Sequence, residues 1–281
     1  MDKRSAYQKE MIRNLVIGSQ GFIGRYFCRY LKKLGQEVTP FDIKRNPKED
    51  ARHFRFDFYQ IDRVYFLAWD VGGSKYLYQA KTQLPQLKWN LRLLENVMLQ
   101  LEKYHKKFMF ASSQLSEEAT VYGTVKRLGE LWTAQLGGVS IRIWNAYGIL
   151  EKLDIKSHVI SDFVFQAVSK GSIEMMTDGS EWRQFTHLAD LSRAFTLVFD
   201  QELDNQLYDA SSYEKVTVRR IAEMIAKETK AKIIPGKKKG ESPPATSQGK
   251  LPGWLPQISL KAGVINMIKD ARELKGKGQL E

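Results

Sequence analysis

Short apolar runs alternate with amphipathic stretches along the first half of the chain. The run Leu15–Ile17 predicts a buried strand, and the apolar positions after it recur at helical spacing. Further apolar or alternating runs predict strands at 36–42, 54–56, 63–69 and 107–111. The spacing of apolar residues predicts helices over about 83–104, 121–136 and 216–230.

Strands that alternate with helices indicate a parallel α/β sheet with right-handed crossovers. We therefore expect a doubly wound, dinucleotide-binding domain over residues 1–149 and a smaller C-terminal α/β lobe over residues 150–281. Ligands of such sheets bind at the carboxyl ends of the strands, so candidate site residues are sought there.

A glycine-rich turn joins the first predicted strand to the first predicted helix. Gly18, Gly21 and Gly24 have a spacing that permits a tight turn, approach of a pyrophosphate and close packing of helix on strand. The helix N-terminus offers free N–H groups and the positive end of a dipole. Asp42 ends the next strand, near the offset expected for a carboxylate that binds an adenosine ribose. This order predicts a dinucleotide site, and an ordinary glycine turn is the simpler alternative.

Composition narrows the class of protein. The 281 residues are 43% hydrophobic and contain no apolar run long enough to cross a bilayer, so no membrane partner is expected. One cysteine, Cys28, excludes an internal disulfide, and four scattered histidines lack metal-site spacing, so no metal is expected. Residues 1–13 are polar and basic without the apolar core of a secretory signal, which predicts a cytoplasmic protein.

The net charge of +12 would attract polyanions, either nucleic acid or an anionic small substrate. The basic residues are nevertheless spread along the chain. The densest run, Lys237–Lys239, lies in a Gly/Pro/Ser-rich stretch, 235–253, which is typical of a solvated surface loop. Nucleic acid is therefore not the expected partner.

A serine pair and a Tyr/Lys pair carry the candidate chemistry. Ser112 and Ser113 follow the strand at 107–111, at the edge where ligands bind. Tyr122 and Lys126 are four residues apart on a predicted helix and share one face. A lysine ammonium and a positively charged nicotinamide both favour the phenolate, which gives a general base for an alcohol near neutral pH.

With these motifs the chain resembles the extended short-chain dehydrogenase/reductase family, the NAD-dependent epimerase/dehydratases of nucleotide sugars. The resemblance runs from Asn14 to about Asp270. It implies a Rossmann-like fold, NAD as cofactor, a nucleotide-sugar substrate between the lobes, and a segment near 188–212 that returns to the first domain. It also implies a homodimer that pairs the helices at 83–104 and 121–136. The matching motifs are Gly18-x-x-Gly21-x-x-Gly24, Asp42, Asp57, Leu67-Ala68, Asn90, Ser112-Ser113, Tyr122-x-x-x-Lys126, Arg142–Gly148, Asp178–Asp190 and Gly253–Leu260.

The resemblance implies roles for single residues. Tyr122 would be the catalytic base, Lys126 its electrostatic partner and a ribose ligand, and Ser113 the hydroxyl that orients the reacting oxygen. Asn145 would contact the sugar or its diphosphate, and Arg183 the diphosphate, with a surface ion pair as the alternative for Arg183. The residues implied to bind the cofactor are Gly18, Gln20, Gly21, Phe22, Ile23, Gly24, Asp42, Asp57, Leu67, Ala68, Tyr122 and Lys126.

Three positions depart from the family pattern. The dehydratases have Asp-Glu after the catalytic Thr or Ser, whereas this chain has Gln114 and Leu115, which argues against dehydration. The loop 114–121 is shorter than usual, so a more open substrate mouth is expected. Trp69 replaces the second of two alanines, which places a bulky ring near the cofactor.

Two segments resemble particular members of the family. Val71-Gly72-Gly73 resembles the loop of GDP-fucose synthases and the Met-Gly-Gly loop of GDP-mannose 3,5-epimerases. His158 stands where GDP-fucose synthases hold an acid/base histidine, although a histidine without a chemical role is an equal alternative. Gln114 replaces the cysteine that pairs with this histidine and cannot exchange a proton, so double epimerisation by that route is not expected.

Three functions follow. The first is epimerisation, in which Tyr122 removes a proton from a sugar hydroxyl, expected at carbon 4, and hydride passes to NAD and returns. The second is reduction of a 4-keto nucleotide sugar by NADPH, since Lys44 and Arg45 could offset the charge of Asp42 against a 2′-phosphate. The third is a catalytically idle protein that binds RNA through its basic surface, against which the intact Ser-Tyr-Lys set argues.

Overall fold

Helices and strands alternate along the chain. A computed structural model describes residues 11–150, 156–200, 203, 206–242 and 249–280. The helices are α1 (Phe22–Lys33), α2 (Ser74–Leu77), α3 (Ala80–Tyr104), α4 (Val121–Gln135), α5 (Val159–Lys170), α6 (Leu188–Leu197), α7 (Val218–Thr229) and α8 (Leu260–Gly276). The strands are β1 (Arg13–Ile17), β2 (Glu37–Phe41), β3 (Arg63–Phe66), β4 (Phe108–Ser113), β5 (Val139–Ile143), β6 (Ala146–Tyr147), β7 (Ser172–Glu174), β8 (Trp182–Arg183), β9 (Thr186–His187), β10 (Leu207–Ala210), β11 (Val216–Thr217) and β12 (Lys232–Ile234).

Six strands form one parallel sheet in the order β10-β5-β4-β3-β1-β2. β1 lies between β2 and β3, and its last residue, Ile17, is level with Phe41 and Phe66. The chain runs from β1 to β2 on one side and then crosses to β3 on the other side, so a crevice opens at the carboxyl ends of these strands. The expected doubly wound α/β sheet is confirmed.

Apolar side chains cover both faces of the sheet. On one face, α3 and α4 pack over Phe66 and Phe110, with Val97 and Met98 fully buried. On the other face, α1 and α6 pack over the sheet in a core that includes Phe195. Strands buried on both faces explain the almost continuous apolar runs in the sequence.

A third apolar core lies in the C-terminal part of the chain. It joins α5, α7 and α8 to β7 and β12, and its buried members include Phe163, Ile221 and Met267. In contrast, α6 packs with α1, and β10 pairs in parallel with β5. Helix α6 and β10 therefore lie with the main sheet, in the stretch 188–212 from which a return was predicted. The division of the chain at residue 149 remains an interpretation of this arrangement.

The short strand predicted at 54–56 does not form. The rings of Phe54 and Phe56 pack against Phe41 with centroids 4.7 and 4.8 Å away, and the Phe56 N–H donates to Gln100 Oε1 at 2.8 Å. The alternation of aromatic residues thus reflects packing against β2 and α3 rather than pairing with another strand. The runs at 63–69 and 107–111 accordingly supply the third and fourth strands.

Two predicted segments fall partly outside the described residues. These are the polar N-terminal stretch, of which 1–10 are not described, and the loop 235–253, of which 243–248 are not described. Within the described part of the chain, no helix has the length and apolar character needed to cross a membrane.

Candidate active site

A cavity of about 1500 Å³ opens at the carboxyl ends of β1 to β4. Its walls include the glycine turn, the end of β2, the segment 67–78 after β3 and the start of α4. Residues 156–163 and parts of 174–185 complete the walls from the side of the third core. The cavity therefore lies where the sheet topology predicts a ligand, between the sheet and the C-terminal lobe.

The backbone of the glycine turn is tightly packed, and the absence of side chains there leaves room for a ligand. Gly18 has φ +96°, and a Cβ there would overlap the backbone of Ala68. A Cβ on Gly24 would likewise overlap the Gly18 carbonyl. Helix α1 begins after Gly21, and no side chain caps it, so its first-turn N–H groups remain available. This arrangement fits the pyrophosphate of a dinucleotide.

Asp42 is held in place at the far wall of the cavity. One carboxylate oxygen accepts the N–H of Gln20 at 2.9 Å, and the other accepts the N–H of Lys44 at 2.8 Å. Each oxygen keeps a lone pair for a ribose hydroxyl. Gln20 contributes its backbone to this contact and does not itself line the cavity, whereas Phe22, Ile23, Leu67 and Ala68 do.

The structure does not bring Asp57 to the cavity. Its side chain is exposed, and Oδ1 accepts the N–H of Tyr59 at 2.9 Å. Phe56 and Phe58 on either side are buried, so the alternation of the backbone turns Asp57 to solvent. Asp50, Ala51 and Arg52 line the cavity instead.

An arginine and a tryptophan form a wall that the sequence analysis missed. The Arg52 guanidinium lies 3.4 Å from the Trp89 ring centroid, and its Nε and Nη2 donate to Asp50 at 2.9 and 2.5 Å. Both residues line the cavity. No spacing rule connects an arginine in a loop to a tryptophan in α3, so only the fold joins them.

Ser113 and Tyr122 meet at the inner wall of the cavity. Ser113 ends β4, and its Oγ accepts the N–H of Leu115 at 3.2 Å. Thr120 caps the start of α4 by accepting the N–H of Gly123 at 3.1 Å, which fixes Tyr122 in the first turn. Burial raises the pKa of Tyr122 to about 12, although a hydrogen bond with Ser113 acts to lower it.

Lys126 lies one turn further along α4 and is buried. Its Nζ donates to the carbonyl of Ala111 at 2.5 Å and lies 3.8 Å from the ring centroid of Trp69 and 6.0 Å from that of Tyr122. Burial holds the pKa of Lys126 well below its usual range, and the charge of Glu130 opposes this. The bulky ring of Trp69, expected near the cofactor, therefore packs against Lys126.

A buried ion-pair network packs behind the wall formed by Ser113, Tyr122 and Lys126. It was not predicted from the sequence. Arg142 on β5 donates from Nε and Nη2 to the two carboxylate oxygens of Glu130, at 2.7 and 2.8 Å. Nη2 also reaches Glu117 at 2.9 Å, and Ser112 donates to Glu130 at 2.5 Å. The network thus ties the turn after Ser113 to both α4 and β5.

Asn145 and Arg183 also line the cavity. Asn145 has φ +20° and donates from Nδ2 to the carbonyl of Gln184 at 2.9 Å. Arg183 Nη1 donates to the carbonyls of Trp182 and Glu241 at 2.9 and 3.2 Å. Burial lowers the pKa of Arg183, and the charges of Glu181, Tyr78 and Glu118 oppose this. Among the described residues no carboxylate forms a salt bridge with Arg183, so its guanidinium could bind an anionic ligand.

Comparison with known proteins agrees with this geometry. Residues 14–210 match the profile described as the NAD dependent epimerase/dehydratase family. The chain belongs to this family. It is a nucleotide-sugar enzyme of the extended short-chain dehydrogenase/reductase type with NAD as its cofactor, as its relatives indicate.

Individual relatives are distant. UDP-glucuronic acid decarboxylase 1 of Arabidopsis thaliana is 24% identical, with 96% of this chain and 73% of that protein aligned. The dTDP-4-dehydro-6-deoxyglucose reductase of Escherichia coli is 23% identical, with 92% and 97% aligned. The solved structure of UDP-glucose 4-epimerase from Thermotoga maritima with UDP-glucose superposes with a TM-score of 0.78 at 18% identity, covering 94% of this chain and 100% of that one. The solved structure supports the fold alone, and these distant relatives leave the individual reaction open.

The wall of the cavity also contains a connection between two segments, and we call this connection the clasp. It consists of two ion pairs between the segment after β3 and the start of α5: Asp70 with Lys156 at 2.6 Å, and Lys75 with Asp162 at 2.7 Å. The N–H of Gly73 also donates to the carbonyl of Lys156 at 3.0 Å. The clasp thus joins the Rossmann-like domain to the C-terminal lobe across the cavity.

His158 lies beside the clasp at the start of α5. Its ring stacks on Phe22, with centroids 5.1 Å apart and planes 23° apart. Phe22 begins α1 at the glycine turn. His158 therefore contacts the expected pyrophosphate end of the cavity in this structure.

Proposed function

We propose that the protein is an NAD-dependent nucleotide-sugar epimerase that works through a transient keto sugar. The observation that carries this is the position of Ser113, Tyr122 and Lys126 on one buried wall, in the same cavity as the glycine turn. A phenol, a hydroxyl and an ammonium grouped in this way suit removal of a proton from an alcohol. The nucleotide, the sugar and the inverted carbon depend on the C-terminal lobe.

In the proposed reaction Tyr122 takes the proton from a sugar hydroxyl, at carbon 4, while Ser113 holds the reacting oxygen by a hydrogen bond. NAD supplies the acceptor and then the donor of hydride. Because burial raises the pKa of Tyr122 to about 12, the phenol needs nearby positive charge to act as a base at neutral pH. Lys126 lies on the same helix face and would supply such a charge in its protonated form, although burial lowers its pKa. Asn145, after β5, and Arg183, in the C-terminal lobe, would hold the substrate.

Neither residue after Ser113 favours elimination of water. Gln114 and Leu115 carry no group that exchanges a proton near neutral pH. Gln114 Oε1 is buried without a hydrogen-bond partner among the described residues, so it remains an acceptor that a ligand could satisfy. These two positions support epimerisation or reduction rather than dehydration, and they give His158 no cysteine partner for double epimerisation.

The second candidate is a reductase of a 4-keto nucleotide sugar that uses NADPH. It is supported by the similarity to the E. coli dTDP-4-dehydro-6-deoxyglucose reductase along nearly the whole chain. Calorimetric titration with NAD and NADP separates the candidates. A clear preference for NADP would reverse the ranking.

The test of the proposed function is the variant Tyr122→Phe. We expect turnover of the nucleotide sugar to fall by roughly 10²–10⁴-fold or more, because the general base is lost, while NAD affinity stays within about twofold. Mass spectrometry of ligands that copurify with the protein first identifies the substrate to use. Retained turnover in Tyr122→Phe would refute the assignment of the base.

Cytoplasmic location and homodimer formation remain proposals. The dimer is supported by exposed leucines on the neighbouring helices α3 and α4, including Leu91, Leu128 and Leu131. These helices also border an apolar groove. Two copies that pair these helices would bury the leucines in an interface of four helices.

A further inference from the structure

The turn after β2 contains a buried carboxylate that the proposed chemistry does not use. Glu49 is 8% exposed and lines the cavity close to Asp42. The N–H of Asp42 donates to Glu49 Oε2 at 2.9 Å. Arg45 donates from Nε to the same oxygen at 3.0 Å, and its Nη2 pairs with Oε1. Both carboxylate oxygens of Glu49 are therefore engaged by one guanidinium.

Because of this ion pair, the positive charge of Arg45 faces Glu49 rather than the cavity. Two of its nitrogens face Glu49, and Arg45 is not among the residues that line the cavity. An arginine placed after the strand-end acid is the residue type that accommodates the 2′-phosphate of NADP. Here the guanidinium fork that would grip a phosphate already grips a carboxylate.

The other basic residues at this end of the cavity do not replace Arg45. Arg52 pairs with Asp50 through two nitrogens and stacks on Trp89. Lys44 lines the cavity, but its ammonium offers a single point of charge rather than a fork. Against it stand the carboxylates of Asp42 and Glu49, which repel a phosphate.

We infer that Glu49 is a specificity-determining residue for the cofactor: by holding Arg45 it withholds the cation that a 2′-phosphate needs, and so sets the preference for NAD over NADP. The inference rests on the cofactor role of this cavity within the proposed function, and it is independent of the sugar chemistry. The preference for NAD over NADP would then depend on the Glu49–Arg45 ion pair and not on Asp42 alone.

The experiment is isothermal titration of the full chain with NAD and with NADP, using Glu49→Gln, Arg45→Gln and the double variant. Loss of the Glu49 charge frees Arg45, so the ratio of NADP to NAD affinity should rise about 10-fold in Glu49→Gln. The double variant should lose most of that gain. Arg45→Gln alone should leave the ratio within about twofold of the parent, because Glu49 already occupies the guanidinium. Glu37→Gln, an exposed acid at the start of β2, is the matched control.

Each outcome bears on the inference. An unchanged ratio in Glu49→Gln overturns it, as does a gain that persists in the double variant, since Arg45 would then not be the cation concerned. A marked loss of NADP affinity in Arg45→Gln alone also overturns it and does not require Glu49→Gln to fold. Failure of the parent protein to bind either dinucleotide would instead remove the cofactor role on which the proposed function depends.

Discussion

The buried ammonium of Lys126 has three partners that compensate for its loss of water. The Ala111 carbonyl accepts its hydrogen bond, the Trp69 ring faces it at 3.8 Å, and Glu130 lies one turn away on α4. Burying a charge without such partners costs several kcal/mol. Trp69, where the family pattern has alanine, thus offsets part of the burial that lowers the pKa of Lys126.

The variant Glu130→Gln tests this electrostatic arrangement. Since the Glu130 charge raises the pKa of Lys126 against burial, its loss should lower that pKa further. The ammonium would then deprotonate at lower pH, so the alkaline limb of the rate profile should move to lower pH. Measurement of kcat/KM against pH for parent and variant checks the direction.

The same substitution should also weaken the fold. Arg142 would lose one of its two carboxylate partners in a buried setting. We expect the free energy of unfolding to fall by roughly 2–3 kcal/mol, less than the full cost of breaking a buried pair, because Glu117 remains. Urea denaturation gives this value, with the exposed Glu214→Gln as control. A limb that stays in place despite the loss of stability would show that Glu130 acts on packing alone.

The sequence predicted those site residues that share one local pattern. The three glycines and Asp42 follow from the order strand, turn, helix and strand, and the Tyr122/Lys126 pair follows from spacing within one helix. All of these residues line the cavity, whereas Gln20 only donates its backbone N–H to Asp42. The sequence could not predict pairs joined only by the fold, such as Arg52 with Trp89. Asp57 turned to solvent because burial of its neighbours, which depends on tertiary packing, set the direction of its side chain.

At the level of elements, we expect the clasp to open when the cofactor leaves, because its ion pairs join two segments of the cavity wall. The variants Lys75→Gln and Lys156→Gln each remove one ion pair from it. Partly exposed pairs contribute about 0.2–1 kcal/mol, so each variant should release NAD up to about fivefold faster. The double variant should show the product of the two effects.

Stopped-flow displacement of NAD measures these dissociation rates. Lys269→Gln on the exposed face of α8 carries the same loss of charge away from the cavity and serves as control. Dissociation as slow in the double variant as in the parent would mean that the clasp does not limit release. The Asp70–Lys156 pair should contribute the more: burial acts to lower the pKa of Lys156, but the hydrogen bond and charge of Asp70, together with Tyr76, outweigh it and raise that pKa.

Periodicity was a reliable guide to the long elements and a poor one to short aromatic segments. Helices α3, α4 and α7 begin and end within a few residues of the predicted limits. The alternation at 54–56 satisfied the pattern of a strand, yet its backbone bonds to the side chain of Gln100. Local alternation reports only that one side is buried, and the partner that buries it decides whether a strand forms.

At the scale of the whole molecule, the exposed face of α3 and α4 predicts a second copy of the chain. Leu128 and Leu131 are 44% and 59% exposed there. The variants Leu128→Glu and Leu131→Glu should convert the dimer to a monomer, because charges buried in an apolar interface are destabilising. Size-exclusion chromatography with light scattering measures the mass.

Leu255→Glu is the matched control, since Leu255 is 64% exposed and does not border the groove between α3 and α4. A parent protein that is monomeric at micromolar concentration would contradict the proposed dimer. A dimer that survives both substitutions would place the interface elsewhere.

Trp69 gives the protein an optical property of its own. The indole lies within 3.8 Å of the ammonium of Lys126, in the wall of the cavity that would hold the nicotinamide. Tryptophan emission overlaps the absorption of reduced nicotinamide, so excitation of the six tryptophans, of which Trp69 and Trp89 line the cavity, should pass energy to the ring only while it carries the hydride. The bulky side chain therefore offers a way to follow the redox state during a single turnover without any added label.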